Sequence, residues 1–293
     1  MLVLRIVTMK FEKIYIELSD ICGLDCAFCT GKKGVRGAMS VENFARVAQK
    51  VAGKARIYTF HLLGDPLILP NLAEFIKVAK AHKMPLELTT SGFYMSEKNQ
   101  ALLLESENIR QINFSLMAFL AQKRVNLSEY FSPILRFVRA HIALKKSNFV
   151  NLRLWNLNAD FSNTSQNESI YSLLEREFGV QIQQKARKNR LASRVILHQS
   201  ERFRWASLAG KTACAKGSCH ALSKQIGILS NGTLVPCCMD SGGVIALGDI
   251  FTQNLDEILA SPRARAMRQG FQKGEFVEKL CQKCEFGVSR TIL

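Results

Sequence analysis

Hydrophobic and polar positions follow two periods that alternate up to about residue 200. Short segments with apolar residues at every second position, rich in β-branched and aromatic side chains, predict strands. Longer segments with apolar residues three and four positions apart predict helices. The predicted strands are EKIYIEL (12–18), ARIYTFHLLGDP (55–66), PLELTTSG (85–92), IRQINFSLM (109–117), FVNLRLWNLN (149–158) and SRVILHQ (193–199). The predicted helices are SVENFARVAQKVAG (40–53), LAEFIKVAKAHK (72–83), SEKNQALLLESE (96–107), SEYFSPILRFVRAHIALKK (128–146), interrupted near Pro133, and SIYSLLEREFG (169–179).

This alternation predicts the fold class. Strands separated by helices of about 10 to 15 residues form βαβ units with a parallel sheet. The unit repeats about six times, short of the eight repeats of a full TIM barrel. We therefore expect an α/β fold with a partial, open (β/α)6 TIM-like barrel, whose ligands bind at the carboxyl ends of the strands.

The pattern changes near residue 210. QIGILSNGTLVPCC (225–238) predicts a hairpin with Asn231 and Gly232 in its turn. Two short helices, NLDEILA and PRARAMRQGF, are expected to follow, and the paired cysteines of KLCQKCEFG come after them. We expect a core barrel over residues 1–208 and a small metal-stabilised extension over residues 209–293.

Composition narrows the class of protein. The chain has 293 residues, of which 47% are hydrophobic, so it can bury a large core and is not globally disordered. No apolar run reaches the roughly 20 residues that a membrane span requires. Arg5 and Lys10 interrupt the apolar N-terminal segment before a signal-peptide core could form. These features predict a soluble, cytoplasmic protein.

The charge is strongly positive. Forty Lys and Arg residues against twenty-four Asp and Glu residues give a formal net charge of +16. Such a balance suits a polyanionic partner such as RNA, and KARKNR (185–190) offers a local cluster of cations. The competing interpretation is that these residues form an ordinary solvated surface.

The nine cysteines fall into two groups. None occurs between Cys29 and Cys214, and their odd number argues against a disulfide framework. Cys22, Cys26 and Cys29 follow a predicted strand, where loops commonly carry functional sites. A structural zinc site needs four ligands, so three close thiols favour a metal centre with one coordination position left open. The alternative is that the three serve as buried apolar residues on one helical face.

In this strand context, CGLDCAFC (22–29) resembles the C-x3-C-x2-C loop of the radical S-adenosylmethionine (SAM) enzymes, including the aromatic residue Phe28. The resemblance implies that Cys22, Cys26 and Cys29 hold a 4Fe–4S cluster whose fourth iron binds SAM. In that family the reduced cluster cleaves SAM to a 5′-deoxyadenosyl radical, which removes a hydrogen atom from the substrate. It also implies a reducing partner such as flavodoxin or ferredoxin.

Other strand ends resemble SAM-binding positions of the family. LLGDP contains Gly64, Asp65 and Pro66 where the family carries Gly-Gly-Glu-Pro, with Leu63 and Asp65 as departures. The resemblance implies further cofactor contacts from Thr90 in TTSG, Ser115, which would face the ribose, and Arg153, which would pair with the methionine carboxylate. The alternative for each polar residue is a strand-end cap or a turn.

The second cysteine group resembles the SPASM extension in its reduced Twitch form. The resemblance implies that Cys219, Cys237, Cys281 and Cys284 bind one auxiliary 4Fe–4S cluster. A zinc ribbon is the alternative, since paired cysteines also bind zinc. Cys214 could replace Cys219 as a ligand, and Cys238 is expected to be buried or to face the site.

These features predict an enzyme that abstracts a hydrogen atom from a peptide or small metabolite and passes an electron to the auxiliary cluster. Asp240, near Cys237, is a candidate substrate base, with a turn carboxylate as the alternative. Two other functions remain open, namely an RNA-modifying radical enzyme, with tRNA as one substrate, and a non-catalytic iron–sulfur protein for electron transfer or sensing.

Overall fold

Parallel strands form the centre of the fold. The computed structural model describes residues 11–30, 34–158, 160, 162–210 and 214–288. Arg5 and Lys10, from which the absence of a signal peptide is predicted, lie outside these residues. The strands are β1 (Phe11–Ile16), β2 (Ala55–Phe60), β3 (Leu86–Thr90), β4 (Ile109–Ser115), β5 (Phe149–Leu157), β6 (Lys188–Ala192), β7 (Val195–Glu201), β8 (Gln225–Ile228), β9 (Thr233–Val235) and β10 (Gly248–Asp249).

All of these strands belong to one sheet, in the order β10-β9-β8-β1-β2-β3-β4-β5-β7-β6. Strands β1, β2, β3, β4, β5 and β7 pair in parallel in that order, as the predicted (β/α)6 arrangement requires. Because parallel strands direct their carboxyl ends to the same edge, the loops that follow them meet there.

Helices connect the parallel strands. Their bounds are α1 (Val41–Val51), α2 (Leu72–Ala81), α3 (Glu97–Glu105), α4 (Met117–Leu120), α5 (Leu127–Ala143), α6 (Glu168–Phe178), α7 (Leu255–Leu259), α8 (Pro262–Gln272), α9 (Lys279–Gln282) and α10 (Glu285–Val288). Helix α1 begins at the predicted cap, where the Ser40 side chain accepts a hydrogen bond from Asn43 N at 3.1 Å. No helix among these described residues is long and apolar enough to cross a bilayer.

The core lies between the sheet and the helices. Residues Phe44 of α1, Phe60 of β2 and Phe75 of α2 form edge-on aromatic contacts with centroid distances of 5.4 and 5.5 Å. Such fully buried rings provide much of the apolar area that stabilises this layer. The outward face of each strand is thereby covered, and its inward face is left to line the interior of the partial barrel.

Two sequence-based expectations were wrong in detail. Helix α5 is continuous through Pro133, because buried residues on both sides, including Phe131 and Phe137, hold it in place despite the missing N–H donor. Part of KARKNR forms the antiparallel edge strand β6, where no strand was predicted. The predicted hairpin is present, with β8 antiparallel to β9 and Gly232 in the turn. Strand β8 also pairs in parallel with β1 and covers what would be an exposed strand edge.

Candidate active site

A cavity lies at the carboxyl ends of the parallel strands. In α/β sheets this edge is a common place for small-molecule and cofactor sites. The cavity is lined by the following residues with predicted cofactor roles: Cys22, Cys26, Phe28, Cys29, Gly64, Asp65, Thr90, Ser115 and Arg153. Pro66 is buried at the start of the 3₁₀ turn Pro66–Ile68. The fold therefore gathers at one cavity residues that are up to 131 positions apart (Cys22 to Arg153).

The cysteine loop is held by neighbouring side chains. Cys29 N donates to Cys26 O at 2.9 Å, which tightens the loop between these two thiols. The Tyr94 hydroxyl donates to Cys22 O at 2.6 Å, and Gln122 Nε2 lies 3.5 Å from Cys26 Sγ. All three sulfur-bearing residues face one space, as a common metal centre requires.

Two acidic residues anchor this loop, and the sequence analysis missed both. Buried Glu17 accepts two hydrogen bonds of 2.8 Å from the Arg36 guanidinium and a third of 3.2 Å from Ser230 N. Asp20 accepts from Arg36 N and Gly37 N at 2.9 Å each. Bidentate pairs of this kind fix orientation as well as charge. The only sequence signal was the position of the acidic residues just before the cysteines.

Asp65 joins two strand-end turns. Its carboxylate accepts from Leu67 N at 3.0 Å, from Thr90 Oγ1 at 2.9 Å and from Ser91 N at 2.7 Å. Burial raises the pKa of Asp65, while the hydrogen bonds from Ser91 and Leu67 act in the opposite direction. These contacts give Asp65 and Thr90 a role in shaping the wall of the cavity.

Gly64 makes the closest backbone approach in the site. Its φ is +71°, and a Cβ at this position would lie 2.1 Å from Ser19 O. Gly53 has a similar φ of +75°, but a Cβ there would meet nothing within 4 Å. Both glycines have a left-handed backbone, but only Gly64 would bring a Cβ into contact with Ser19 O. Comparing substitutions at the two positions therefore separates the cost of the backbone conformation from the cost of this contact.

We expect Gly64→Ala to destabilise the protein more than Gly53→Ala. Both substitutions pay about 1–2 kcal/mol for a left-handed conformation. Gly64→Ala adds a steric term of about 1–3 kcal/mol, because the Ser19 carbonyl and the backbone leading into the cysteine loop must move. Denaturant unfolding of the two variants measures the difference, and equal losses of unfolding free energy would contradict this close contact.

Ser115 and Arg153 are register partners on β4 and β5, and both line the cavity. Arg153 Nη2 lies 3.2 Å from Glu87 Oε1, and Lys13 Nζ lies 2.6 Å from Glu87 Oε2. Although burial opposes it, attraction from Lys13 and Arg153 lowers the pKa of Glu87. With Glu87 ionised, this group carries one net positive charge beside the cavity, which suits an anionic ligand group.

A second cavity is lined by the other predicted ligands: Cys219, Cys237, Cys281 and Cys284. Burial raises the pKa of Cys237 well above its ordinary value, and neighbouring thiolates such as Cys219 and Cys281 raise it further. Thiolates gathered in an apolar cavity repel one another unless a cation binds between them. This donor set therefore fits a metal centre held by four cysteines.

The grouping of the thiols bears on which kind of metal centre they could hold. Among the described residues, no three His, Cys, Asp or Glu side chains are grouped so that they could hold one metal ion. A single zinc ion requires sulfur ligands at about 2.3 Å from one point. An iron–sulfur cube spreads its thiolates over separate iron atoms. The arrangement in both cavities fits a cluster better than a zinc ion.

Three neighbouring residues complete the second site. Cys214 N donates a hydrogen bond of 2.8 Å to Gln282 O, next to Cys281 in the sequence. The Cys214 thiol donates to Lys216 O at 2.9 Å. Cys238 Sγ lies 3.9 Å from Gln225 Oε1. Asp240 lines the cavity, but its two carboxylate oxygens accept from Val244 N at 2.8 Å and from Ile245 N at 2.7 Å. These bonds are those of a turn carboxylate, but Asp240 is buried and not exposed as the turn alternative expected, so its role as a substrate base stays a prediction.

The fold is an α/β partial barrel with two cysteine-lined cavities, and comparison with known families gives a narrower class. Residues 16–153 match the model of the Radical SAM superfamily, and residues 219–285 match SPASM, an iron–sulfur cluster-binding domain. The chain carries a Radical SAM domain over residues 16–153 and a SPASM-type extension over residues 219–285, as the cysteine motifs predict. These two domains imply iron–sulfur clusters and SAM as cofactors.

Solved structures share the fold. BtrN in complex with AdoMet and 2-DOIA is 16% identical, with a TM-score of 0.62 over 94% of this chain and 93% of that chain. Streptococcus suis SuiB bound to precursor peptide SuiA is 14% identical, with a TM-score of 0.61 and coverages of 95% and 72%. Native anSMEcpe with bound AdoMet and Cp18Cys peptide is 15% identical, with a TM-score of 0.58 and coverages of 94% and 86%. These similarities confirm the partial-barrel fold. No curated protein matches the chain.

Proposed function

We propose that this protein is a cytoplasmic radical SAM enzyme that oxidises or otherwise modifies a peptide or small metabolite. Its first cavity would hold a 4Fe–4S cluster on Cys22, Cys26 and Cys29. The observation that carries the proposal is the convergence of these thiols with Gly64 and Ser115 at the carboxyl edge of the barrel. Bound there, the cluster and SAM would supply a 5′-deoxyadenosyl radical that abstracts hydrogen from the substrate.

The protein's own residues would bind and orient the cofactor. Arg153 lies beside Ser115, so Arg153 would provide an ionic contact for the methionine carboxylate of SAM and Ser115 a hydroxyl for its ribose. Phe28 offers an apolar surface next to the cysteines, and Asp65 keeps two strand-end turns in register. Together these residues would exclude water from the reacting centre.

The second cavity favours oxidation over a redox-neutral rearrangement. Four cysteines would occupy all ligand positions of an auxiliary cluster, leaving it suited to electron transfer. An external reductant such as flavodoxin or ferredoxin would supply the first cluster with electrons. The boundary near residue 208 remains our proposed division between barrel and extension.

Peptide substrates are supported by the fold neighbours SuiB and anSMEcpe, which were solved with peptides. BtrN was solved with 2-DOIA, so the same fold also accepts a small molecule. These proteins share only the fold with this chain, so the proposal includes both peptides and small metabolites as substrates.

Reductive cleavage of SAM tests the proposal. Anaerobically prepared protein, given a strong chemical reductant and SAM, should release 5′-deoxyadenosine and methionine in equal amounts, slowly even without substrate. Chromatography of the products measures both. Protein that contains its clusters, binds SAM and yet releases no 5′-deoxyadenosine would instead support a non-catalytic iron–sulfur role.

A further inference from the structure

An aromatic wall forms one side of the first cavity. The wall consists of Trp155 on β5 and of Phe203 and Trp205 in the segment after β7, and all three residues line the cavity. Ring centroids lie 6.3 Å apart for Trp155 and Phe203 and 5.3 Å apart for Phe203 and Trp205. Exposed Arg202 and Arg204 alternate with these rings, so the segment turns aromatic groups inward and cations outward.

The wall carries donors without partners. Trp155 Nε1 and Arg153 Nε are both buried, and neither has a hydrogen-bond partner in the described part of the chain. Both atoms are donors only, so any ligand that satisfies them must present acceptor atoms. The Arg153 guanidinium lies 4.7 Å from the centroid of the Trp155 ring, which places positive charge against the wall.

A row of side chains brings further positive charge to the same place. Ser115, Arg153, His198 and Lys188 are successive register partners across β4, β5, β7 and β6. Paired residues point to the same face of a sheet, so this row lies on the cavity side. His198 contacts Trp155 edge-on at 5.6 Å. Burial first, and then the charges of Arg153 and Lys188, lower the pKa of His198.

We propose that the aromatic wall is a substrate subsite for a planar ring that carries an anionic group. The ring would stack on Phe203 and Trp205, an acceptor atom would bind the Trp155 indole N–H, and the anion would face the cationic row that ends at Lys188. This inference rests on the proposed function, because it assigns the substrate of the same site.

The wall is separate from most residues proposed for SAM. Those residues lie on the cysteine loop and at the ends of β2, β3 and β4, whereas the wall is formed by β5 and the segment after β7. Arg153 lies between the two groups. The same chemistry, a planar ring with a nearby anion, also occurs in SAM itself, so the experiment must distinguish substrate from cofactor.

Tryptophan fluorescence reports directly on this subsite, because Trp155 and Trp205 are the two tryptophans of the chain. Anaerobic protein with its clusters is first saturated with S-adenosylhomocysteine. Two pairs of probes are then titrated into this sample in separate experiments. The first pair is uridine 5′-monophosphate and uridine, and the second is N-acetylphenylalanine and its neutral amide. We expect the anionic member of at least one pair to quench the fluorescence and to bind about tenfold more tightly than its neutral partner, because hydrogen bonds to charged groups are the stronger ones. The pair that binds better indicates whether the ring resembles a nucleotide or an aromatic side chain.

Variants test the parts of the subsite. Phe203→Ala should weaken the preferred probe about tenfold by removing a stacking surface. Lys188→Ser should weaken it about threefold, as expected for a partly exposed charge. The matched control, Lys185→Ser, removes an exposed charge from the adjoining turn outside the row and should leave the affinity unchanged.

Two results would overturn the subsite. In the first, S-adenosylhomocysteine alone produces the full fluorescence change and no probe binds afterwards. This result would assign the wall to the cofactor. In the second, the charged and neutral probes of each pair bind with equal affinity, so the site has no preference for an anionic group. SAM cleavage is measured on the same samples. Lys188→Ser, at a residue outside the lining of the first cavity, should retain it, so weaker probe binding with cleavage intact separates failure of the subsite from failure of the proposed function.

Discussion

Replacement of Cys22, Cys26 and Cys29 together by Ala is expected to abolish release of 5′-deoxyadenosine and to remove about half of the bound iron. With two cubane clusters the unmodified protein should contain about eight iron atoms, and the variant about four. The physical reason is that these thiols line one cavity with the proposed SAM residues, whereas the other proposed ligands line a separate cavity. Iron analysis and product chromatography of anaerobic samples provide the two measurements.

The outcome separates the two proposed clusters only if the variant folds. Circular dichroism and thermal unfolding should be compared with the parent protein. The loop is held mainly through its backbone and through Glu17, Asp20 and Arg36, none of which is changed. Unchanged iron content in a folded variant would show that the N-terminal cysteines are not cluster ligands.

Cys219→Ala is expected to remove the other half of the iron while leaving reductive cleavage of SAM in place. Cys219 lines the second cavity with Cys237, Cys281 and Cys284, so its loss should prevent an auxiliary cluster from forming with four thiolate ligands. Substrate oxidation should then fail even though SAM is still cleaved. Iron content, electron paramagnetic resonance of the reduced protein and 5′-deoxyadenosine release measure these effects.

Cys214→Ala is the matched control, because Cys214 lies next to the same segment but its thiol donates to Lys216 O. This variant should retain about eight iron atoms. The opposite pattern, with iron lost in Cys214→Ala and kept in Cys219→Ala, would exchange the roles of the two residues. Loss of SAM cleavage in a folded Cys219→Ala variant would contradict separate functions for the two cavities.

Local patterns were sufficient for most elements of the barrel. Ser40 caps α1 because its hydroxyl satisfies a backbone N–H that no helical carbonyl can reach. The alternation in β2, β3 and β4 reflects one face turned to helices and one to the barrel interior. Pro133 predicted an interruption of α5, but the helix continues, because burial of the flanking rings outweighs the loss of one backbone N–H donor.

Long-range contacts could not be predicted from local sequence patterns. Arg36 and Ser230 are far apart in sequence, yet both donate hydrogen bonds to Glu17. Likewise, nothing local indicated that β8 would extend the barrel sheet by pairing with β1. Such partners are chosen by the packing of the whole chain, since hydrogen-bonding capacity alone permits many alternatives.

The sequence by itself determined the class of this protein, because the C-x3-C-x2-C spacing after a strand and the repeated strand–helix periods are local properties of the chain. Only the tertiary structure decided which residues share a cavity. It turned Asp65 and Asp240 towards backbone donors and brought Trp155 beside Phe203, with Lys188 in the same cross-strand row. The reason is that strand register and side-chain orientation arise when distant segments pair and bury their apolar faces together.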